Sequence, residues 1–189
     1  MTVMHEADLE DYVIDELRKL HWTYEFGPTI APDGERPERN DYRETTLSGR
    51  IVDAVRRLNP ALSEDSVSDA VKQVLRAESQ SPLLENWRFF QLLVEGIPIE
   101  YRDEQGSIRH TRAQLIDWLN PPANDFLAVN QFTVHGQDNR RPDLVLFVNG
   151  LPLVLIELKK PGEPNANLRG AFNQIKTYKQ KISELFTWN

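Results

Sequence analysis

Two strongly apolar segments, separated by Asn149-Gly150, constrain the fold of this chain more than any other part of its sequence. Asn-Gly between apolar runs is the strongest short signal for a β-hairpin, and the pattern predicts strands over 143–149 and 152–159. The first strand begins with Asp143, and the second ends in Glu157-Leu158-Lys159. Charged residues are rare in buried strands, so these charges indicate a functional site at one end of the hairpin.

The register of the hairpin decides whether these charges can act together. Residues two apart in a strand lie on one face, and so do directly opposed residues of an antiparallel pair. A two-residue Asn149-Gly150 turn with an unbroken ladder would put Asp143 and Glu157 on opposite faces. We therefore predict a three-residue loop, Val148-Asn149-Gly150, that opposes Asp143 to Leu155, or else a bulge elsewhere in the pair.

The hydrophobic pattern changes from helical to alternating at Gly96. It predicts helices over 4–20, 46–58, 64–78, 82–95 and 167–185, and strands over 21–26, 97–102, 108–118 and 126–134. This order favours a mixed α/β fold, α+β-like, with a mostly antiparallel sheet flanked by helices. The length of 189 residues fits one domain, with a helical part at about 1–95 and the catalytic sheet and final helix at about 97–189. Trp118 and Phe132 are expected in the core.

Composition limits the chemistry that is open to the chain. The absence of cysteine excludes disulfides, thiolate metal sites and a cysteine nucleophile. The sequence has neither a membrane-spanning run nor a signal-peptide pattern, so we expect a cytoplasmic protein without a membrane partner. The net charge of −7 opposes nucleic-acid binding. Eight basic and three acidic residues between Arg140 and Lys181 nevertheless suit a phosphate-binding face, although ordinary solvated lysines would give the same count.

The charges of the hairpin fit metal-dependent hydrolysis of a phosphodiester. Mg²⁺ held by one or two carboxylates stabilises charge at the phosphorus and activates a water molecule. Asp143 and Glu157 are suitable ligands, and the backbone carbonyl of Leu158 could be a third. Lys159 shares a strand face with Glu157 and could reach the attacking water or the scissile phosphate. The alternative is that these residues only mark solvated or paired strand ends.

Two predicted helices could add groups to the site. Gln174 and Tyr178 are four residues apart on one face of the last helix, and the Gln174 amide could bond a phosphate, the lysine or a metal-bound water. Tyr178 could equally be a core residue. Glu6 and Glu10 extend the apolar stripe of the first helix, and Glu10 is the better placed of the two to approach the metal. Both could instead be first-turn acids that the helix dipole favours.

These residues resemble a known family. Asp143, Glu157-Leu158-Lys159 and Gln174-Ile-Lys-Thr-Tyr178 look like the PD-(D/E)xK nuclease motif with its Q-x-x-x-Y extension. The longer runs 124–134 and 141–154, together with 6–11, are similar to the N-terminal nuclease domain of the restriction (R) subunit of type I restriction–modification enzymes.

The resemblance implies a restriction-endonuclease-like fold and Mg²⁺-dependent cleavage of double-stranded DNA. It implies a set of catalytic residues, which here are Asp143, Glu157, Lys159, Gln174, Tyr178 and Glu10. It also implies a set of metal ligands, which here are Asp143, Glu157 and Leu158. In the family, translocation and site recognition involve other domains and the methyltransferase and specificity subunits. The sequence has no Gly-x-x-x-x-Gly-Lys-Ser/Thr loop, so ATP binding is expected only in motor domains outside this chain. The chain itself is expected to be a piece of a larger prokaryotic protein.

Two other functions stay open at this point. One is a non-catalytic DNA-binding or subunit-docking module of the same fold. The other is a DNA repair or recombination nuclease that acts on single strands or ends, which aromatic side chains exposed in a groove would favour.

Overall fold

The structure is a computed structural model, and it describes residues 6–102, 105–159 and 168–188. The helices of these residues are α1 (Glu6–Lys19), α2 (Ser48–Leu58), α3 (Glu64–Leu75), α4 (Pro82–Glu95) and α5 (Leu168–Lys181). Their strands are β1 (Thr23–Phe26), β2 (Ile97–Arg102), β3 (Ile108–Ala113), β4 (Phe126–Asn130), β5 (Val134–His135), β6 (Asn139–Arg140), β7 (Leu144–Val148) and β8 (Leu151–Ile156). None of these helices is both long and apolar enough to cross a bilayer.

Four strands form the central sheet, in the order β1-β4-β7-β8. β1 is parallel to β4, whereas β4 with β7 and β7 with β8 are antiparallel. The prediction of a mixed α/β fold with a mostly antiparallel sheet is therefore confirmed. The sheet does not follow the expected boundary near residue 96, however. β1 comes from the N-terminal part of the chain, and β2 and β3 form a separate two-stranded sheet, because strand periodicity does not specify which strand pairs with which.

Two apolar clusters pack around the central sheet. The first cluster joins the turn end of the hairpin to α2, α3, α4 and the β2–β3 sheet, and includes Ile51, Val67, Phe89 and Leu151. The second cluster joins β4 and β7 to the C-terminal part of the chain, and includes Leu127, Val145, Phe147, Tyr178 and Ile182. The second cluster fixes α5 against the sheet beside the predicted site.

Local signals in the sequence explain where several elements begin and end. The Ser63 hydroxyl accepts a hydrogen bond from the Ser66 N–H and caps α3. Gln131 has a φ of 54°, which breaks the strand that was expected to continue from 126 to 134. The segment expected to be helical up to 185 leaves α-helical geometry after Lys181 and ends in a 3₁₀ turn at Ser183–Thr187.

The prediction that Trp118 and Phe132 lie in the core is confirmed for Phe132 and wrong for Trp118. Phe132 is fully buried, but Trp118 is 59% exposed. The strand expected over 108–118 ends at Ala113, so Trp118 lies outside it. Its indole N–H donates to the Leu93 carbonyl at 3.1 Å, which holds the ring at the surface. An aromatic residue near apolar neighbours in sequence does not reveal whether a second layer covers it.

Candidate active site at the end of the central hairpin

The hairpin turn has two residues, and the prediction of a three-residue loop is wrong. Val148 pairs directly with Leu151. Asn149 and Gly150 have φ angles of 52° and 82°, and positive values at both central positions are those of a type I′ turn, whose twist matches that of the strands. A Cβ on Gly150 would lie 2.5 Å from the Leu47 carbonyl oxygen, so the turn also depends on close approach to the start of α2.

A bulge in β8 supplies the shift in register that the turn does not provide. Phe147 opposes Pro152, next to the turn. The preceding residue of β7, Leu146, opposes Val154. Leu153 is therefore the extra residue of a β-bulge, and the second form of the prediction, a bulge elsewhere in the pair, is confirmed.

The bulge reverses the direction of every side chain that follows it in β8. Leu151 and Leu153 both pack in the first cluster, as expected for residues two apart. Leu155 packs in the second cluster instead. If the same sequence formed an unbroken ladder, with Leu153 paired instead of bulged, Leu155 and Glu157 would point away from α5.

Asp143 and Glu157 consequently lie level with each other. The pairing of Leu144 with Ile156, extended by one residue, places Asp143 opposite Glu157 and not opposite Leu155. The Leu158 N–H donates to Oδ2 of Asp143 at 2.7 Å. This bond fixes one oxygen of the carboxylate and keeps the chain after β8 next to Asp143.

The carboxylate of Glu157 is buried. Its side chain is 1% exposed, and neither oxygen has a partner at hydrogen-bond geometry among the described residues. Burial raises the pKa of Glu157 to about 7, and the Asp143 charge adds to this effect, although the nearby Tyr178 hydroxyl and Lys159 ammonium act in the opposite direction. A buried, unsatisfied carboxylate is costly, which points to a missing positively charged partner.

Lys159 lies next to this carboxylate but keeps the capacity to bind another group. Its Nζ lies 3.7 Å from Oε2 of Glu157, and the side chain is 29% exposed. This separation is longer than a hydrogen bond, and an ammonium has three donors. Lys159 can therefore interact with a further group at the open side of the site.

Gln174 and Tyr178 reach the site from α5. The Gln174 amide donates to the Tyr178 hydroxyl at 2.8 Å. Tyr178 is 5% exposed and belongs to the second cluster, so it is a core residue as well as a neighbour of Glu157. Burial raises the pKa of Tyr178, and the Glu157 charge raises it further against the opposing effect of Gln174. The hydroxyl therefore stays protonated. A cavity of about 370 Å³ lies beside this pair, and its lining includes Gln174, Tyr178 and Arg141.

Glu10 approaches the site from α1. It borders a second cavity, of about 410 Å³, that Asp143 also borders. The side chain of Glu6 lies outside the described residues, so the structure places only Glu10 beside Asp143. Arg141 lines this cavity too and thus stands between the two openings.

Sequence reasoning missed three residues of this region: Asn130, Gln131 and Arg141. The first two line the cavity and donate to the Glu10 carboxylate. A signal for the two amides exists in the sequence, because the apolar strand β4 ends at Asn130 and Gln131 follows it directly. His135, which is also near in sequence, stacks instead on the Tyr42 ring at 4.4 Å.

Among residues 6–102, 105–159 and 168–188, no three His, Asp or Glu side chains are grouped closely enough to hold a metal ion by themselves. The acids of the site are thus a close pair, Asp143 and Glu157, with Glu10 across the neighbouring cavity.

The central sheet, with an acidic pair and a lysine at one end, is consistent with the core of a nuclease. Residues 3–189 match the family model described as "Type I restriction enzyme R protein N terminus". The chain belongs to this family.

Several curated relatives carry the same kind of name. The chain is 35% identical over 189 residues to the type I restriction enzyme HindI endonuclease subunit of Haemophilus influenzae, covering 99% of this chain and 18% of the relative. It is 33% identical over 188 residues to the putative type I restriction enzyme MjaIXP endonuclease subunit of Methanocaldococcus jannaschii, covering 95% and 18%. The chain therefore spans about a fifth of the length of these relatives.

Proposed function

We propose that this chain is a Mg²⁺-dependent endonuclease domain that hydrolyses phosphodiester bonds of double-stranded DNA within an ATP-dependent type I restriction–modification complex. The observation that carries the proposal is the buried Glu157 carboxylate, which lies level with Asp143 beside Lys159 and whose oxygens have no partner at hydrogen-bond geometry in the described part of the chain. Keeping such a group in the fold is costly, and this argues against a non-catalytic module.

The donors of the site fit Mg²⁺. This ion takes hard oxygen ligands and commonly uses one or two carboxylates together with water. Asp143 and Glu157 would hold it, with the Leu158 carbonyl as a third donor, and its charge would satisfy the orphaned oxygens of Glu157. When bound, the ion supplies charge stabilisation at the phosphorus and a water molecule of lowered pKa.

The protein's own residues orient the reacting groups. The Leu158 N–H fixes one oxygen of Asp143 and thereby sets the direction of the other. Lys159 has spare donors for the attacking water or a phosphate oxygen. Gln174 acts through Tyr178, whose protonated hydroxyl stabilises ionised Glu157.

A basic surface beside the site suits the DNA backbone. Arg140 and Arg141 border the cavity near Tyr178. Arg140 and Lys181 are both paired with Asp138, each at 3.2 Å, whereas Lys176 and Lys179 are exposed cations of α5. Contacts of such residues with phosphates give affinity that falls with salt and does not depend on base sequence.

The relatives are named as endonuclease subunits of type I restriction enzymes, and this supports a place for the chain in such a complex. ATP binding, translocation and contact with methyltransferase and specificity subunits would belong to a full-length protein of their kind.

Plasmid nicking by this chain in Mg²⁺, together with Mn²⁺ binding measured by electron paramagnetic resonance, tests the proposal. Asp143→Ala and Lys159→Ala should lose nicking, and Asp143→Ala should also lose tight ion binding. Lys72→Ala, an exposed lysine of α3 paired with Asp69, is the matched control and should change neither. Equal nicking by all variants, or equal ion binding by wild type and Asp143→Ala, would contradict the proposal.

A further inference from the structure

The Glu10 carboxylate is held by two side-chain amides. Asn130 Nδ2 donates to its Oε1 at 2.5 Å, and Gln131 Nε2 donates to its Oε2 at 3.0 Å. Each carboxylate oxygen can accept about two hydrogen bonds, so one acceptor direction per oxygen is left. The two amides therefore fix the position of the group and leave it able to bind something else.

The donors to Glu10 are neutral. None of the described residues forms an ion pair with it, and its partners are amides. An arginine or lysine at these positions would have cancelled the negative charge, whereas an amide orients the carboxylate and leaves the charge in place. Glu10 and Asp143 thus contribute two negative charges to one cavity, against one positive charge from Arg141, and the negative balance favours a cation there.

Gln131 links Glu10 to the backbone of Asp143. Its side chain donates to Glu10, and its backbone N–H donates to the Asp143 carbonyl at 3.1 Å. It does this with a φ of 54°, a conformation that is uncommon for a residue other than glycine. A Cβ on Gly27 would lie 2.6 Å from the carbonyl oxygens of both Asn130 and Gln131, so the glycine leaves room for this turn.

A further contact orients the Asn130 amide. The Tyr24 hydroxyl donates to Oδ1 of Asn130 at 3.0 Å, which leaves the NH₂ group to face Glu10. Asn130 is 7% exposed, so these bonds are largely shielded from water. The arrangement fits the common pattern in which partners of a metal ligand fix its orientation.

We infer that Asn130 and Gln131 are positioning residues that hold the Glu10 carboxylate beside Asp143, so that α1 contributes an acid to the cation site. The inference rests on the proposed function, because it assumes that a divalent cation binds at this end of the hairpin. Neither amide touches the reacting atoms; each acts through Glu10.

A double-mutant cycle of Mn²⁺ affinity tests the role of Gln131. Gln131→Gly removes the side-chain donor, keeps the backbone N–H to Asp143 and suits the positive φ. It should weaken Mn²⁺ binding roughly tenfold. Glu10→Gln should weaken binding at least as much, and adding Gln131→Gly to it should cause no further loss, because the amide would then have no carboxylate to position.

Two controls separate positioning from stability. Gln137→Gly makes the same change at an exposed residue between β5 and β6 and should leave ion affinity unchanged. Urea unfolding of each metal-free variant reports stability, which a merely structural role would lower without changing the affinity of the folded protein.

The possible outcomes distinguish this inference from the proposed function. Wild-type affinity in Gln131→Gly, or an equal further loss when it is added to Glu10→Gln, would overturn the positioning role even if Asp143→Ala abolished binding. No saturable Mn²⁺ binding by the wild-type chain would overturn both the cation site and the positioning role. A loss in Gln131→Gly that disappears in the Glu10→Gln background would support them together.

Discussion

Replacing Asn149 should destabilise this fold far more than an ordinary turn residue would. Its side chain is almost fully buried at the hairpin turn. Nδ2 donates to the Leu115 carbonyl at 2.7 Å and to Oδ1 of Asn124 at 2.9 Å. Oδ1 accepts from the Asp125 N–H at 2.8 Å and from Arg57 at 3.0 Å. One side chain thus connects the hairpin to α2 and to the segment that leads into β4.

The structure gives the size of the effect. A hydrogen bond contributes about 1 kcal/mol net, and a buried group left without a partner costs about 1–3 kcal/mol. Asn149→Gly keeps the permitted positive φ and loses the four bonds, so we expect a loss of about 3 kcal/mol in the free energy of unfolding. Asn149→Ala should lose about 1 kcal/mol more, because a Cβ is strained at this φ.

Urea unfolding followed by the fluorescence of the four tryptophans measures both variants. Asn40→Gly, at an exposed loop residue, is the matched control and should stay within about 0.5 kcal/mol of wild type. The reasoning is refuted if Asn149→Gly is as stable as this control. It is also refuted if the alanine and glycine variants are equally stable, since that would remove the backbone contribution.

Three further predictions follow from the site and its supports. Burial raises the pKa of Glu157 from 4.5 to about 7, so between these pH values the metal-free fold keeps a proton that the unfolded chain releases. The contribution of Glu157 to stability is therefore fully present below pH 4.5 and is lost as pH rises through 7, by up to about 3 kcal/mol. Urea unfolding between pH 5 and 8 should show this loss in wild type relative to Glu157→Gln, and parallel curves would contradict it. Arg50→Ala should lower stability by about 1–3 kcal/mol in thermal unfolding, because Arg50 pairs with Glu38 and Asp125 at 2.6–2.9 Å; no change would show that the pairs are energetically neutral. Deletion of Leu153 should give an unbroken ladder that still places Glu157 opposite Asp143, so Mn²⁺ binding should persist in protein that circular dichroism shows to be folded, and loss of binding would disprove that strand register alone places Glu157.

Much of the local structure could be predicted from the sequence. The position of the Asn149-Gly150 turn, though not its length, the strands on either side of it and the helix that follows the Ser63 cap all depend on contacts between near neighbours in the chain. An acid and Glu-x-Lys at two strand ends were enough to select three residues, Asp143, Glu157 and Lys159, that the structure brings together. These features are short-range, so their periods and capping residues appear directly in the order of amino acids.

Register and long-range contact could not be predicted in this way. Leu153 is an ordinary apolar residue of its strand, and nothing in the sequence marks it rather than the turn as the extra residue. The bond between Asn130 and Glu10 joins residues 120 positions apart, and the exposure of Trp118 depends on which element covers it.

By itself, the sequence determined which residue types stand at the strand ends and therefore which chemistry is available. Only the tertiary structure decided that Glu157 turns towards Asp143, through the bulge at Leu153, and that Glu10 reaches the same cavity. The physical reason is that a strand carries side chains with a period of two, so a single extra residue reverses a whole face. Where that residue is placed is decided by packing against both apolar clusters.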